Sequence, residues 1–325
     1  MSYSTQLSRE AFAVDSDTAG IQLWLRHRWL ADRTVFDTAH TVILMHGATY
    51  SSGSLFDTQV EGESFIDYLA ASGMDVWAVD VRGYGGASRM ASFEAPALDN
   101  PPSARAEVAA CDLGSAIDFI LKRQNLTQLN IIGMSWGGTV SALYTTLNAG
   151  KVRRLTLIAP QWLQEGKPAL DPGGAIGAWR DIDIDAIEAR WLRGVPDEKK
   201  QDLIPPEGFS QWAMQTLSDE PNLQLKAQRK IRASTGPIQD TRVYWSAGIP
   251  VYDPADIRVP VLLLHGEWDQ DVPINATLNW YLRATGAPWK RWVEIGEATH
   301  MMVLEKNRKQ VFALARDFIT QTLNV

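Results

Sequence analysis

The stretch Ile131-Ile132-Gly133-Met134-Ser135-Trp136-Gly137-Gly138 decides how this chain folds. An apolar run, 129–132, leads into it, and a helix-compatible run, 139–149, follows it. The pattern predicts a strand, a tight turn and a helix, with Ser135 at the tip of the turn. Glycines at 133 and 137 would remove the side chains that collide in so sharp a turn. The free N–H groups at the start of the helix, and the positive end of its dipole, would point at the serine.

A serine hydroxyl with backbone donors beside it suits acyl transfer. The hydroxyl can attack a carbonyl carbon while the donors hold the oxyanion that forms. The alternative interpretation is a glycine-rich turn with an incidental serine, since five-residue patterns of this kind also arise by chance. Acyl transfer therefore requires that the rest of the chain supply a base and an acid.

The composition is typical of a globular protein. The chain has 325 residues, of which 45% are hydrophobic and 21% are charged, and its formal net charge is −7 at pH 7. It contains no block of basic residues, so we expect neither nucleic acid nor an anionic membrane as a partner. The sequence shows no signal peptide and no apolar run near the length of a membrane span, and we therefore expect a cytoplasmic protein.

The single cysteine, Cys111, excludes an intrachain disulfide and a metal site built from several cysteines. Its place in a helical pattern predicts a buried core thiol. The histidines are not paired at ligand spacing, so the sequence predicts no metal site.

Strand-like and helical patterns alternate along most of the chain. Several strand-like runs are apolar throughout, which is typical of a parallel sheet covered by helices on both faces. These runs are 41–45, 75–81, 129–132, 154–159 and 260–264, and residues 289–295 read as the last strand. An amphipathic hairpin over residues 10–30 suits the edge of such a sheet.

Residues 161–255 interrupt this alternation. They contain no apolar strand run, and prolines separate short helical patterns. We therefore predict a helical cap over 161–255, inserted between two parts of a core formed by residues 1–160 and 256–325.

The predicted cap is rich in tryptophan. Large aromatic side chains either fill the core of a small subdomain or line a cleft. We predict that part of this set contacts substrate, together with a methionine next to a histidine near the C-terminus. The cap tryptophans are Trp162, Trp179, Trp191, Trp212 and Trp245, and the predicted substrate contacts are Trp162, Trp179, Trp191, Trp212 and Met301.

A serine nucleophile needs a base, and a neutral imidazole is best matched to take its proton near neutral pH. The chain has five histidines, at positions 27, 40, 46, 265 and 300. His46 and His265 follow strands but are each succeeded at once by a glycine in a tight turn. His300 lies in the loop after the last predicted strand, at the sheet edge where ligands bind in such folds.

The imidazole in turn needs a carboxylate that fixes its tautomer and stabilises its charged form. Asp269 lies in the loop after the preceding strand, from which it could reach His300. Asp271, two residues further on, is the second choice. The chain order is then Ser135, Asp269 and His300, an order that belongs to one fold.

These motifs together resemble those of the α/β-hydrolase superfamily. The resemblance runs from residue 41 to the end of the chain, with only the predicted cap unmatched. It implies a mostly parallel, eight-stranded sheet covered by helices on both faces, with a helical cap insertion. The matching motifs are His46-Gly47-Ala48, Asp80-x-Arg82-Gly83-Tyr84-Gly85-x-x-Ser88, Gly133-x-Ser135-x-Gly137, Gly266-Glu267-x-Asp269-x-x-x-Pro273 and Gly296-x-x-x-His300.

The resemblance implies a role for each matching residue. Ser135 is the nucleophile, His300 the base and later the acid, and Asp269 the residue that orients the imidazole. The backbone N–H groups of Trp136 and Ala48 would form the oxyanion hole, although a purely structural turn is the alternative for Ala48. The segment 80–82 is expected to be structural, with an ion pair that pins a loop beside the site.

The resemblance also narrows the chemistry. Epoxide hydrolases and haloalkane dehalogenases of this fold carry aspartate where this chain has Ser135, so an alkyl-enzyme ester is not expected. We expect a cofactor-free serine hydrolase of carboxylic esters or lactones that acts on an apolar or aromatic small molecule. A homodimer is left open.

Four alternative functions remain, because the α/β-hydrolase fold is compatible with all of them. The sequence Gly-x-Ser-Trp-Gly resembles that of proline iminopeptidases, which hold a substrate amine with cap glutamates, and Glu188 and Glu198 are the candidates here. Carbon–carbon bond hydrolases and acyltransferases use the same triad. A non-enzymatic small-molecule receptor is the alternative from another class.

Overall fold

A computed structural model describes residues 6–323. The described chain contains ten strands: β1 (Leu7–Asp15), β2 (Gln22–Leu30), β3 (Thr41–Met45), β4 (Asp75–Asp80), β5 (Leu129–Met134), β6 (Val152–Ile158), β7 (Trp179–Asp183), β8 (Lys230–Ser234), β9 (Val261–Gly266) and β10 (Lys290–Ile295). Eight of them form one sheet in the order β1-β2-β4-β3-β5-β6-β9-β10, and β7 pairs only with β8.

The large sheet is mostly parallel, as predicted. β1 and β2 are antiparallel to each other, and β2 is antiparallel to β4. All other neighbours, from β4 to β10, run parallel. The predicted hairpin at the start of the chain is confirmed, with β1 at the edge. β3, β4, β5 and β9 are buried at every residue, which explains why they are mostly apolar rather than alternating.

Ten α-helices occur in the described residues: α1 (Phe65–Ala71), α2 (Ala106–Gln124), α3 (Trp136–Leu147), α4 (Ile187–Trp191), α5 (Lys200–Leu203), α6 (Gly208–Ser218), α7 (Leu223–Ala227), α8 (Gly236–Asp240), α9 (Ile274–Arg283) and α10 (Arg308–Thr320). Within residues 6–323, none of these helices combines the length and the apolar character needed to cross a membrane.

Helices cover both faces of the large sheet. Successive strand residues point to opposite faces. Ile43 and Met45 of β3 pack in a hydrophobic cluster with residues of α2 and α3. Val42 and Leu44, which alternate with them, pack in a second cluster with residues of α1 and α10. This arrangement confirms the predicted sheet between two helical layers.

The segment between β6 and β9 holds five short helices, α4 to α8, and the antiparallel pair β7–β8. The predicted helical insertion therefore also contains a short antiparallel pair of strands, which the sequence analysis did not predict. β7 reads Trp-Arg-Asp-Ile-Asp, and no residue of it is fully buried. A strand this polar gives no apolar run, and its partner lies 51 residues further on at the pair Asp181–Arg232. The cap limits 161–255 stay a prediction.

Two smaller expectations need correction. Cys111 is exposed, because α2 turns its neighbour Asp112 into the interior instead. Asp80 and Arg82 do not pair with each other. Asp80 binds Arg26 at 2.8 Å, and Arg82 binds Asp112. Both partners are distant in the sequence, so the ion pairs beside the loop at 80–86 could not be read from spacing.

Candidate active site

Ser135 lies in the tight turn between β5 and α3. Its φ of 58° and ψ of −125° place a non-glycine residue in a strained conformation. A Cβ atom at Gly137 would overlap the carbonyl oxygen of His46 and would lie 2.6 Å from that of Met45. One at Gly133 would lie 2.6 Å from the carbonyl oxygen of Gly137. Backbone contacts this close admit only glycine at both positions, as the sequence predicted.

The structure brings His300 and Asp269 together. Nδ1 of His300 lies 2.7 Å from Oδ2 of Asp269. The other oxygen, Oδ1, accepts the N–H groups of Asp271 and Val272, each at 2.8 Å. Because an ionised carboxylate can only accept, Nδ1 carries the proton, and Nε2 of a neutral His300 is free to accept one.

Asp271, the second choice for this acid, is engaged elsewhere. Its carboxylate binds the guanidinium groups of Arg190, at 3.1 Å, and Arg193, at 2.8 Å. These contacts hold α4 and the residues that follow it against the loop after β9. The geometry therefore favours Asp269 as the partner of the imidazole.

The charges around His300 adjust its protonation. Burial disfavours the imidazolium and would lower the pKa of His300. The charge of Asp269, its hydrogen bond and the charge of Asp271 act in the opposite direction, and the net pKa of His300 is raised above its ordinary value of 6.5. The site thus stabilises the protonated imidazole that acyl transfer forms transiently.

The remaining histidines are committed to structural contacts. Nδ1 of His46 lies 2.8 Å from the carbonyl oxygen of Gly47, and its Nε2 accepts the N–H of Val81 at 3.3 Å. Burial lowers the pKa of His46 and that of His265. Nδ1 of His265 lies 3.1 Å from the hydroxyl of Thr277. His27 contacts Asp75 and His40 contacts Asp37.

The loop after β3 lies directly against the serine. A Cβ atom at Gly47 would lie 3.3 Å from Cβ of Ser135 and 3.8 Å from its Oγ. The hydroxyl of Tyr84 donates to the carbonyl oxygen of Ala48 at 2.7 Å and fixes this loop. In the part of the chain that the structure describes, no hydrogen-bond acceptor takes the N–H of Ala48.

Trp136, the other residue predicted for the oxyanion hole, begins α3. Its N–H is one of the first four of the helix, which have no acceptor within the helix. The indole Nε1 donates to the buried carboxyl of Asp240 at 3.0 Å, and Asp240 also accepts from Arg105 at 2.8 Å. Burial raises the pKa of Asp240 to about 6, against these hydrogen bonds.

Ser135 and His300 line a cleft with an empty volume of about 730 Å³, which includes the solvent at its mouth. The cleft lies between the loops of the large sheet and the segment that contains α4. Its apolar wall consists of Leu55, Met134, Leu170, Ile187, Trp191 and Met301. Its polar lining includes Thr49, Tyr50, Gln161, Arg190, Arg193, Gln270, Asp271 and Thr299.

Of the five side chains predicted to contact substrate, Trp191 and Met301 line this cleft. The other three pack elsewhere. Trp162 is buried against Tyr252, with ring centroids 5.0 Å apart. Trp212 is buried and meets Tyr50 edge to face at 5.1 Å. Trp179 lies under the guanidinium of Arg232, 3.3 Å from ring centroid to Cζ.

Trp245, the fifth tryptophan of the segment, is also buried in the hydrophobic core. These placements follow from packing against distant partners, which no local pattern encodes.

Sequence reasoning missed several lining residues. Tyr50 comes two residues after Ala48, and its position in that loop was a usable signal. Arg190 gave no signal, because a charged residue in a short helical pattern normally faces solvent. Within residues 6–323, no three side chains of His, Cys, Asp or Glu come together as a metal site.

The family assignment rests on most of the chain. A family model described as alpha/beta hydrolase fold matches residues 40–307. The chain belongs to the α/β-hydrolase family. Human gastric triacylglycerol lipase is 29% identical over 114 residues, which are 35% of this chain and 28% of the lipase. The chain thus aligns with under a third of the length of that curated relative.

Solved structures share the fold over nearly the whole chain. A serine hydrolase from the polyaromatic-hydrocarbon-degrading bacterium Cycloclasticus zankles has a TM-score of 0.64 and 15% identity, and the match covers 98% of this chain and 100% of that one. An enol-lactonase from Burkholderia xenovorans has a TM-score of 0.62 and 15% identity, with 96% and 100% covered. At this identity, the likeness concerns the α/β-hydrolase fold.

Proposed function

We propose that this α/β-hydrolase is a serine hydrolase that cleaves a carboxylic ester or lactone through Ser135, His300 and Asp269. One observation carries the proposal: a strained serine and a histidine paired with a buried carboxylate line the same cleft. A nucleophile, a base and an acid that orients the base are the parts that acyl transfer requires.

The proposed reaction has two halves. Nε2 of His300 takes the proton of Ser135 as Oγ attacks the carbonyl carbon, and the N–H groups of Ala48 and Trp136 hold the oxyanion. The imidazolium, stabilised by Asp269, then protonates the leaving alcohol, and an acyl-enzyme remains. Water, deprotonated by the same imidazole, attacks this ester and releases the acid, and the proton returns to Oγ.

The cleft favours a substrate with an apolar part. Several of its lining side chains are apolar, among them Trp191 and Met301. Burying a hydrocarbon or aromatic group against them is worth roughly 25 cal/mol per Å² of apolar surface removed from water. Two of the similar proteins are named for ester chemistry, a lipase and an enol-lactonase, which supports esters and lactones as the substrate class.

The aminopeptidase alternative gains no support. Glu188 and Glu198, the glutamates that would hold a substrate amine, are both exposed and neither lines the cleft. Carbon–carbon bond hydrolysis and acyl transfer would use the same three residues. Product analysis with an added alcohol separates transfer from hydrolysis, because a transferase forms the new ester in preference to the acid.

The test is to treat the protein with a fluorophosphonate and locate the label by peptide mass spectrometry, with aryl esters of increasing acyl length assayed in parallel. We expect the label on Ser135 and turnover of apolar or aromatic esters. A Ser135→Ala variant should lose both. Full turnover by Ser135→Ala would overturn the proposal, and absence of the label from the folded protein would favour a non-enzymatic receptor.

A further inference from the structure

Arg180 of β7 is a partly buried arginine that has no carboxylate partner within residues 6–323. Its Nη2 donates to the hydroxyl of Thr49 at 3.1 Å. Its Nε is buried and has no hydrogen-bond acceptor in the described part of the chain. Among the described residues, no Asp or Glu forms an ion pair with it, whereas the neighbouring Arg232 of β8 binds Asp181 at 2.8 Å. The guanidinium therefore keeps most of its donor capacity unused.

Arg180 lies beside the cleft rather than on the outer surface. Thr49, its hydrogen-bond partner, lines the cleft and follows Ala48, whose N–H faces the oxyanion position in the proposed reaction. Tyr50 and Arg190, also in the lining, are close enough to influence its titration. A ligand group that reaches Thr49 in the cleft would thus lie next to the hydrogen-bond partner of Arg180.

Positive charge is in excess at this end of the cleft. Arg190 and Arg193 share a single carboxylate, Asp271, so three guanidinium groups face one nearby anion. Burial, followed by the charge of Arg190, lowers the pKa of Arg180. The adjacent phenol of Tyr50 cannot compensate, because burial raises its pKa to about 12 and keeps it neutral.

An unpaired charge and an unused donor are costly to bury. A ligand that supplies the missing partner removes this cost. The planar guanidinium presents two parallel donors that match the two oxygens of a carboxylate. A carboxylate from the substrate would satisfy Nε and neutralise part of the excess charge.

We propose that Arg180 binds a carboxylate of the substrate, so that the ester or lactone cleaved at Ser135 carries an anionic group as well as an apolar part. This inference rests on the proposed hydrolase function. It adds to the apolar or aromatic substrate expected from the sequence: the apolar wall receives the hydrocarbon, and Arg180 receives the charge.

Two matched pairs of esters test the proposal. In the first, the acyl chain differs: the p-nitrophenyl half-ester of adipic acid is compared with the methyl ester of the same compound. In the second, the leaving group differs: 4-acetoxybenzoate is compared with methyl 4-acetoxybenzoate. The wild-type protein, Arg180→Gln and Arg229→Gln are assayed. Arg229 is the control, because it is an exposed arginine of the same segment, paired with Asp185 away from the cleft.

We expect the wild type to favour the anionic member of at least one pair. Arg180→Gln should lower kcat/KM for that anionic ester by roughly tenfold to a hundredfold, mainly through KM, because a hydrogen bond to a charged group is lost. The same variant should leave kcat/KM of the neutral ester within about threefold. Arg229→Gln should change neither value.

Two outcomes would overturn the carboxylate site while the hydrolase proposal stands. One is preference for the neutral member of both pairs by a wild-type protein that a fluorophosphonate labels at Ser135. The other is an equal loss for anionic and neutral esters in Arg180→Gln. If no ester is cleaved and Ser135 is not labelled, the hydrolase proposal fails, and the carboxylate proposal fails with it.

Inhibition of the wild-type protein keeps the test independent of how Arg180→Gln folds. 4-Phenylbutyrate should inhibit cleavage of a neutral aryl ester more strongly than 4-phenylbutyramide, by roughly tenfold or more, and this difference should shrink at high ionic strength. Equal inhibition by the acid and the amide would contradict the proposal.

Discussion

The indole Nε1 of Trp191 lies 2.7 Å from Oε1 of Glu305, a carboxyl group with no exposure to solvent. Glu305 also accepts the N–H of Thr299 at 2.8 Å, and the hydroxyl of the same threonine. Since Thr299 precedes His300, one buried carboxyl joins α4, which lines the cleft, to the loop that carries the candidate base. Burial raises the pKa of Glu305 to about 7, despite these hydrogen bonds.

This carboxyl predicts a pH dependence of stability. The folded pKa lies above the ordinary value of 4.5, so the folded state binds the proton more tightly than the unfolded chain. The stability that protonated Glu305 contributes is present in full below about pH 4.5 and is lost as the pH rises through about 7. Between pH 5 and pH 8 the free energy of unfolding of the wild type should therefore fall. In Glu305→Gln, which has no titrating group at this position, the fall should be smaller than in the wild type by up to roughly 3 kcal/mol.

Urea unfolding at pH 5 and pH 8 measures this difference. Glu198→Gln, a change at an exposed glutamate outside the cleft, is the control and should keep the wild-type dependence. Equal dependence in the wild type and Glu305→Gln would show that Glu305 does not titrate in this range.

Replacing Asp269 and replacing Asp271 should have different effects on kcat. Asp269→Asn removes the carboxylate that holds Nδ1 of His300, so kcat should fall by roughly 10³- to 10⁴-fold. Asp271→Asn weakens the contacts to Arg190 and Arg193 but leaves the pair with His300 in place, and its loss of kcat should be much smaller. Steady-state kinetics on one aryl ester decide the matter, and a comparable loss in Asp271→Asn would contradict the assignment.

The pH profile of the reaction should reflect the charges around His300. In the proposed mechanism His300 must be neutral to take the proton of Ser135, and the pKa of His300 is raised above 6.5. kcat/KM should therefore decline as the pH falls, with a midpoint above 6.5. In any residual activity of Asp269→Asn the midpoint should move to lower pH, because the main stabilising charge is gone. A midpoint below 6 in the wild type would be inconsistent with this environment.

The turn at Ser135 should reject even one extra methyl group at Gly137. Alanine there would overlap the backbone of His46, which cannot move without displacing β3. We expect Gly137→Ala to lower the free energy of unfolding by roughly 2 kcal/mol or more and to abolish labelling of Ser135. Gly150→Ala is the matched control, since its Cβ would meet nothing within 4 Å. It should change the free energy by about 0.5 kcal/mol or less.

Replacing Trp191 should affect substrate binding, whereas replacing Trp162 should affect stability. Trp191 lines the cleft, so Trp191→Ala should raise KM for aryl esters with long acyl chains by roughly tenfold. Trp162 lies in the core against Tyr252, so Trp162→Ala should cost about 3–5 kcal/mol of stability and leave KM of the residual folded protein unchanged. Kinetics together with urea unfolding distinguish the two, and an altered KM in Trp162→Ala would place that side chain nearer the substrate than the structure does.

Much of the fold could be predicted from local sequence patterns. The runs at β3, β5 and β9 could be recognised in the sequence because strands buried on both faces are apolar at most positions. The turn at Ser135 was readable because its backbone contacts exclude all residues but glycine at 133 and 137. The strands β7 and β8 were not readable, since a short polar strand is stabilised by a partner about 50 residues away and by no pattern of its own.

The sequence by itself determined the mostly parallel sheet, the serine turn and the order of the three candidate catalytic residues. Each of these follows from local rules: burial of strands, steric limits at glycine, and the position of loops after strands. The tertiary structure decided which carboxylate meets His300, which tryptophans reach the cleft and that Arg180 has no ion-pair partner among residues 6–323. Those outcomes depend on contacts between elements far apart in the chain, whose packing no local pattern specifies.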